Sequence, residues 1–305
     1  MAFIARFATH VAGGEQDRPA QETLVTELIS VILTTYKRED ALDAVLRALA
    51  RQSDRSFEII VADDGSGPQT RELVARRAAA LDIPLKHVWQ EDRGFRAGEV
   101  RNRGILASKG SYCVFLDGDC VPRPNFIAVH RRLAEPEWFV TGNRILMSRE
   151  FTDEVLAHAR AVELLGLGDW LALRLQGKIN RLTPLLPLPL GPLRKLRPNA
   201  WRGARSCNLA VWRRDLERVD GFEATYTGWG LEDSDLLIRL LRAGVRRKDG
   251  NHATGVLHLW HPESDRTSLP QNQQRLDAIE GDVRVRALAG LSTLDGTAGA
   301  ARTKA

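Results

Sequence analysis

The sequence predicts an α/β fold in which helices cover a central sheet. Three observations carry that prediction. Short apolar, β-branched runs alternate with amphipathic stretches four times between residues 29 and 116. Three of those runs end in polar clusters: Thr34-Thr35-Tyr36-Lys37-Arg38, Asp63-Asp64 and Asp117-Gly118-Asp119. Hydrophobic residues make up 43% of the 305, enough to bury a sheet of that size.

The elements follow in order. Residues 29–35 (ISVILTT) have the composition of a buried strand. Residues 40–51 place Ala41, Leu42, Val45, Leu46 and Leu49 at helical spacing. Strands are predicted at 57–62, 85–89 and 112–116, and helices at 70–81 and 97–108. This is the βαβ rhythm of a parallel sheet, whose ligands bind beyond the carboxyl ends of the strands. After residue 150 the rhythm breaks: residues 161–198 are rich in Leu and then Pro, and ordered-looking sequence returns at 201–261. The expected organisation is a leader with little fixed structure at 1–26, a first half at 27–150 and an insertion at 151–205. A second half at 206–287 and a flexible Ala/Gly/Thr/Lys tail at 288–305 complete it.

Net charge is +5 and the pI about 9.4, which suits an anionic partner. Cys113, Cys120 and Cys207 match no zinc spacing, and their odd number argues against a disulfide framework. Reduced thiols in a cytoplasmic protein are the expectation. No apolar run approaches the ~20 residues of a spanning helix. Arg6 and His10 interrupt the first residues, so a signal peptide is not expected.

Asp117-Gly118-Asp119 directly follows an apolar strand. Paired carboxylates there suit Mg²⁺ or Mn²⁺ carrying a diphosphate, and a solvated turn is the plainer alternative. Asp63-Asp64-Gly65-Ser66 has the same ambiguity, with Ser66 also readable as a helix cap. Two acidic strand ends on one sheet edge are harder to ascribe to chance than either alone.

Val31 to Arg38, Val61 to Ser66 and Phe115 to Asp119 together resemble a family-2 glycosyltransferase of the GT-A fold, over roughly residues 29–146. The resemblance implies a Rossmann-like fold with a mixed central sheet, the first half binding a nucleotide-sugar donor. Thr34, Thr35, Tyr36 and Arg38 would line the nucleotide pocket. Asp64 would contact the base, Asp117 the ribose or metal region, and Asp119 the metal. The stretch 94–102 lies on the same edge. Phe95, Arg96 and Arg101 are assigned to the donor there, because a cation could neutralise the diphosphate. A solvated basic helix start is the alternative.

Gly228-Trp229-Gly230-Leu231-Glu232-Asp233-Ser234-Asp235 precedes an amphipathic stretch at 236–243. The acids could simply favour the helix dipole. The bracketed tryptophan suggests more: glycines allow a turned loop, and an indole is a stacking face for a sugar. The stretch resembles the carboxy-terminal part of β-1,4-galactosyltransferases and chondroitin-polymerase-like enzymes. By that resemblance Asp233 is the catalytic base, with Glu232 beside it. Trp229, Glu232 and Ser234 meet the acceptor. Those galactosyltransferases have an acid where Ser234 stands and a glycine where Leu231 stands. His258 and His261, at i and i+3, could meet one metal if the backbone turns suitably. In the same relatives a metal-binding histidine corresponds to His261 and a softer ligand to His258. The second half is thus expected to hold the acceptor and complete the metal site.

The expected enzyme is a metal-dependent inverting hexosyltransferase using Mn²⁺ or Mg²⁺. It would move sugar from a UDP-linked donor to a saccharide or glycolipid in bacterial surface polysaccharide or lipopolysaccharide synthesis. A nucleotidyltransferase would usually show a glycine-rich loop after the first strand, and residues 33–41 hold no glycine. A non-catalytic nucleotide or glycan binder would tolerate loss of the base. Nucleic acid is not an expected partner, since the cations are spread out and no recognised module is present. Residues 164–205 mix Leu, Pro and basic residues. They read as a core helix with a proline-stiffened loop, as an acceptor-site lid, or as a patch touching the inner membrane surface.

Overall fold

The β-branched run Ile29–Thr35 forms strand β1, and all of it except half-buried Thr34 is buried. The computed structural model describes residues 28–295 and continues with α1 (Glu39–Ala50), β2 (Phe57–Asp63), α2 (Pro68–Ala80) and β3 (Leu85–Trp89). Helix α3 (Ala97–Ala107) and strand β4 (Tyr112–Asp117) follow. These are the expected elements, shifted by at most two residues at an end.

The four strands pair in parallel in the order β3-β2-β1-β4. The chain runs outward from β1 to β3 and then crosses back to β4 on the other side. That reversal is a topological switch point, where a crevice opens beyond the carboxyl ends of β1 and β4. Thr34 stands opposite Asp117 there, and Thr35 opposite Asp63. Strand alternation divides the core. Ile29, Val31 and Leu33 pack with Leu42 and Leu46 of α1 and Leu73 of α2, while Ile32, Ile60 and Phe115 pack with Val100 of α3.

The sheet continues past β4. Strand β8 (Asn208–Trp212) pairs antiparallel with β4, β6 (Trp138–Thr141) antiparallel with β8, and β9 (Arg246–Asp249) parallel with β6. The two halves read from the sequence therefore share one seven-stranded mixed sheet, and residue 150 divides no core. A second sheet has the order β5 (Cys120–Pro122), β10 (Val256–His258) and β7 (Arg144–Leu146). It carries His258 to the residue following Asp119, because β10 pairs with β5 in a register that sets His258 opposite Cys120.

The remaining helices are α4 (Phe126–Leu133), α5 (Arg149–Ala157), α6 (Leu167–Leu175), α7 (Arg213–Arg218), α8 (Glu232–Arg242), α9 (Leu269–Glu280) and α10 (Leu291–Asp295). Three expectations are corrected. Helix α8 begins at Glu232, four residues before the amphipathic stretch read from 236, so the acids form its first turn. Ser66 is not a cap, since Gly67 holds that position and the Ser66 hydroxyl accepts from the Lys37 amide at 2.8 Å. The tail is structured over 288–295. Leu291 is buried, and the Ser292 amide and hydroxyl donate to Asp220 at 2.9 and 2.7 Å. Asp220 and Leu291 sit far apart in sequence, so composition there carried no trace of the contact. The leader, and the tail beyond 295, lie outside the described residues. Among the described residues no helix is long and apolar enough to cross a membrane.

Candidate active site

The switch point brings the first cluster together. Gly118 lies so close to β1 that a Cβ there would meet the Thr34 carbonyl at 3.0 Å, and its amide donates to that carbonyl at 2.7 Å. A side chain at position 118 would crowd Thr34 and Thr35, so that the turn or the strand would have to shift slightly. Beneath the turn lies Arg101 of α3, 4% exposed. Its guanidinium donates to Thr34 Oγ1 at 3.2 Å, Asp117 Oδ1 at 3.2 Å and Glu232 Oε1 at 2.8 Å, and stacks over Phe222. The cation expected to neutralise a diphosphate is thus already engaged within the protein. It joins the acid ending β4 to the first turn of α8. Burial pushes the Glu232 carboxyl up and the Asp233 charge adds to this, while Arg101 pulls the other way. Burial likewise raises Asp117 against the same arginine.

The second cluster surrounds Asp64. Its buried carboxylate accepts from Gln90 Nε2 at 2.5 Å and from the Arg96 amide at 2.8 Å, and burial raises its pKa. The Arg96 side chain turns away, donating to Glu99 at 2.6 Å and to the Glu91 carbonyl at 2.6 Å. Here too the expected free cation is occupied, and the backbone amide of Arg96 meets the predicted base-binding acid. Tyr36 is exposed. Its hydroxyl donates to Asp92 at 2.9 Å, and Lys37 caps its ring while pairing with Asp92. Phe95 is also exposed, and its carbonyl accepts from the Gly228 amide at 2.9 Å. That bond ties the loop after β3 to the Trp229 loop. Arg38 pairs with Asp40 at 3.3 Å and lies near enough to His258 to disfavour its protonation.

The third cluster is a candidate metal centre. Asp119 Oδ1 lies 3.6 Å from His258 Nε2, and Oδ2 lies 3.4 Å from His261 Nε2. The two imidazole rings are 5.1 Å apart. Burial pushes His258 down to about 4, against the opposing charge of Asp119. It is therefore neutral at physiological pH, the state in which imidazole ligates. One carboxylate and two imidazoles offer oxygen and nitrogen ligands to a divalent cation, a set that suits Mn²⁺ better than oxygen-preferring Mg²⁺. The Cys120 thiol adds a softer neighbour, 3.6 Å from Asp119 Oδ1 and grouped with His258.

The fourth cluster gives the three acids at the start of α8 different surroundings. Asp235 is fully buried and paired with Arg239 at 2.6 Å. Glu232 is buried and paired with Arg101. Asp233 is half-buried and makes no ion pair among the described residues. It accepts from the Ser234 amide at 2.7 Å and the Ser206 amide at 3.4 Å. Its open carboxylate can receive a proton from a ligand. Ser234 is half-buried beside it. Leu231, where the galactosyltransferases have glycine, keeps a left-handed backbone with φ +79°. Trp229 is half-buried, and Arg266 covers its ring at 4.9 Å. The indole face expected for a sugar is shared with that arginine.

Sequence reading missed several participants. Arg144 on β7 makes no ion pair among the described residues. Burial works against its charge, but the nearby Cys207, Cys120, Asp117 and Asp119 outweigh this and raise its pKa. It matches no motif. Cys207 lies beside Cys120 and Asp117, brought there by β8. Gln90 and Asp92 orient Asp64 and Tyr36 from the loop after β3.

Comparison with known proteins places the chain in a family. The family model for glycosyl transferase family 2 matches residues 30–192, and a model described as the N-terminal domain of galactosyltransferase matches 195–262. The chain is 30% identical over 247 residues to a validoxylamine A glucosyltransferase of Streptomyces hygroscopicus subsp. limoneus. That match covers 75% of this chain and 51% of the relative. It is 27% identical over 251 residues to a chondroitin synthase of Escherichia coli, covering 75% of this chain and 34% of the relative. The chain therefore spans about half the length, or less, of these curated relatives. Among solved structures, S. aureus TarS superposes with a TM-score of 0.53 at 14% identity, covering 82% of this chain and 39% of that one. The mannosyltransferase PcManGT of Pyrobaculum calidifontis, solved with GDP-Man and Mn²⁺, gives 0.51 at 17% identity, covering 90% and 76%. At such identities these likenesses establish the fold, a mixed α/β sheet of the GT-A type. The family model covers more than half of the sequence, and the chain belongs to glycosyl transferase family 2.

Proposed function

We propose that the protein is an inverting glycosyltransferase that moves a sugar from a nucleotide donor to a saccharide or glycolipid acceptor. One observation carries the reading. An acid free of ion pairs among the described residues, Asp233, is joined through Glu232 and Arg101 to the strand-end acid Asp117, two residues from Asp119 and its paired imidazoles. In the proposed mechanism Asp233 takes the proton of the acceptor hydroxyl as its oxygen bonds to the anomeric carbon. The bond from that carbon to the diphosphate oxygen breaks on the opposite side, so the centre inverts. Arg101 holds Asp117 and Glu232 in place, and Trp229 and Ser234 flank the acceptor. Tyr36, Thr35, Arg38, Phe95 and Asp64 line the nucleotide side. A divalent cation held by Asp119, His258 and His261 would offset the charge on the departing diphosphate.

UDP is the favoured nucleotide, since a TarS fragment was solved with UDP, although PcManGT was solved with GDP-Man. The acceptor class follows the relatives that build polysaccharides, and points to surface polysaccharide or lipopolysaccharide synthesis. The test is a thermal-shift panel of UDP, GDP, CDP and dTDP, each with Mn²⁺ and with EDTA. A ligand at 100 times its Kd adds about 2.7 kcal/mol, which raises Tm by roughly 5–10 °C. A Mn²⁺-dependent shift with one nucleotide is expected. No shift with any of them would overturn the reading.

A further inference from the structure

The leucine- and proline-rich insertion is neither wholly core nor wholly loop. Helix α6 buries Trp170 and Leu173. Leu167, Leu171 and Leu175, spaced at i, i+4 and i+8, form one stripe and are 59%, 52% and 81% exposed. Leu193 and Leu196 add 58% and 72% exposure in the proline-rich stretch that follows. Natural surfaces seldom leave so many large apolar side chains together in water unless something covers them.

The charge around them is one-sided. Residues 164–205 contain eight basic residues and one acid, Asp169. The Asp169 carboxylate accepts from the Gly166 amide at 2.9 Å. Some of the cations serve the fold, such as Arg194, which donates to the Asp249 and Asn251 carbonyls. Arg174, Arg197 and Arg205 are exposed and make no ion pair among the described residues. On the helical wheel Arg174 falls next to Leu167 and Leu171.

The insertion is fixed against the small sheet of the active site. Met147 bridges to Ile179, the Ser148 amide donates to the Lys178 carbonyl at 2.9 Å, and Arg123 donates to the Leu185 carbonyl at 2.9 Å. Strand β7 next to it pairs with β10, which ends at His258.

We propose that the exposed face of residues 164–197 docks on an anionic phospholipid surface. Leucines beside unpaired arginines suit the boundary between acyl chains and acidic headgroups, which receives both. A polyanion such as nucleic acid would pair the arginines and leave the leucines in water. An apolar protein groove would cover the leucines and strand the arginines. Docking here would hold the adjacent active site close to the membrane face, within reach of an acceptor carried on lipid. Vesicle binding is independent of the transfer reaction and can be read without it.

The experiment is co-sedimentation of the full chain with vesicles of phosphatidylcholine alone or with phosphatidylglycerol, at low and high salt. Binding to the phosphatidylglycerol vesicles alone is expected, weakening with salt by roughly fivefold per basic residue engaged. Combining Leu167→Gln, Leu171→Gln and Leu175→Gln should weaken binding at least about tenfold with an unchanged thermal melt. Leu175→Gln alone, at the most exposed position, serves if the triple variant melts early. Failure to bind anionic vesicles overturns the proposal. So does binding that Arg174→Glu with Arg197→Glu abolishes but the leucine variants leave intact, which would indicate a plain polyanion site. A dimer in sedimentation velocity that the leucine variants dissolve would assign the face to self-association and overturn it as well.

Discussion

Replacing Asp233 by Asn and, separately, Asp235 by Asn should split catalysis from stability at two acids that are neighbours in sequence. Asp233 accepts from the Ser234 amide on Oδ1 and from the Ser206 amide on Oδ2 and makes no ion pair among the described residues, so Asn keeps the shorter of these bonds and loses the longer one. Its folding stability should therefore change by no more than about 1 kcal/mol, the worth of one weak hydrogen bond. Loss of a general base costs about 10²–10⁴-fold in turnover, a barrier of roughly 3–5 kcal/mol. Asp235 differs. Its side chain is fully buried, pairs with Arg239 at 2.6 Å and accepts from the Tyr226 hydroxyl at 3.4 Å. Removing its charge leaves Arg239 buried without its counter-ion, which costs about 3–5 kcal/mol. In a domain of this size that lowers Tm on the order of 10 °C. The assay is release of the nucleoside diphosphate from the donor found by the thermal-shift panel, run beside a melt of each variant. Turnover of the Asp233→Asn variant within a few-fold of the parent, with donor affinity retained, would remove Asp233 as the base. A turnover loss confined to Asp235→Asn with no fall in Tm would reverse the assignment.

Three further outcomes are expected. Asp119→Ala should lose the Mn²⁺-dependent part of the nucleotide shift, weakening binding at least about tenfold (roughly 1.4 kcal/mol), and EDTA on the parent should reproduce it; an unchanged titration would place the metal elsewhere. Leu231→Gly should be more stable than Leu231→Ala by about 1 kcal/mol in urea unfolding, because φ is +79° and both variants lose the same packing; equal midpoints would show that the left-handed turn is not strained. Burial pushes His130 down to about 3, against a smaller pull from Asn208. Below its unfolded pKa of about 6.5 the unfolded chain binds a proton that the native state does not. Stability should then fall as pH drops from about 6.5 toward 3, by roughly 1 kcal/mol per unit, and His130→Leu should flatten that limb in pH-dependent denaturation.

The sequence by itself determined the first seven elements and the positions of the strand-end acids. Those features are local: alternation at period two or 3.6 within a few residues decides strand or helix, and βαβ linkage puts successive strand ends on one edge. The candidates Asp64, Asp117 and Asp119 stood out in this way as acids at strand ends, while Asp233, His258 and His261 were singled out by the family resemblance of their short motifs. Their partners were not. Arg101 joins Thr34, Asp117 and Glu232 across separations of 67, 16 and 131 residues, and no spacing rule spans such distances. Only tertiary packing decided that Arg101 and Arg96 serve the protein's own carboxylates, that Arg144 stands near the acids, and that Leu291 anchors a structured tail. It also set which acids of α8 are paired with a cation. A carboxylate's chemistry depends on which cation and how much water reach it, and both are set by elements folded onto it from elsewhere in the chain.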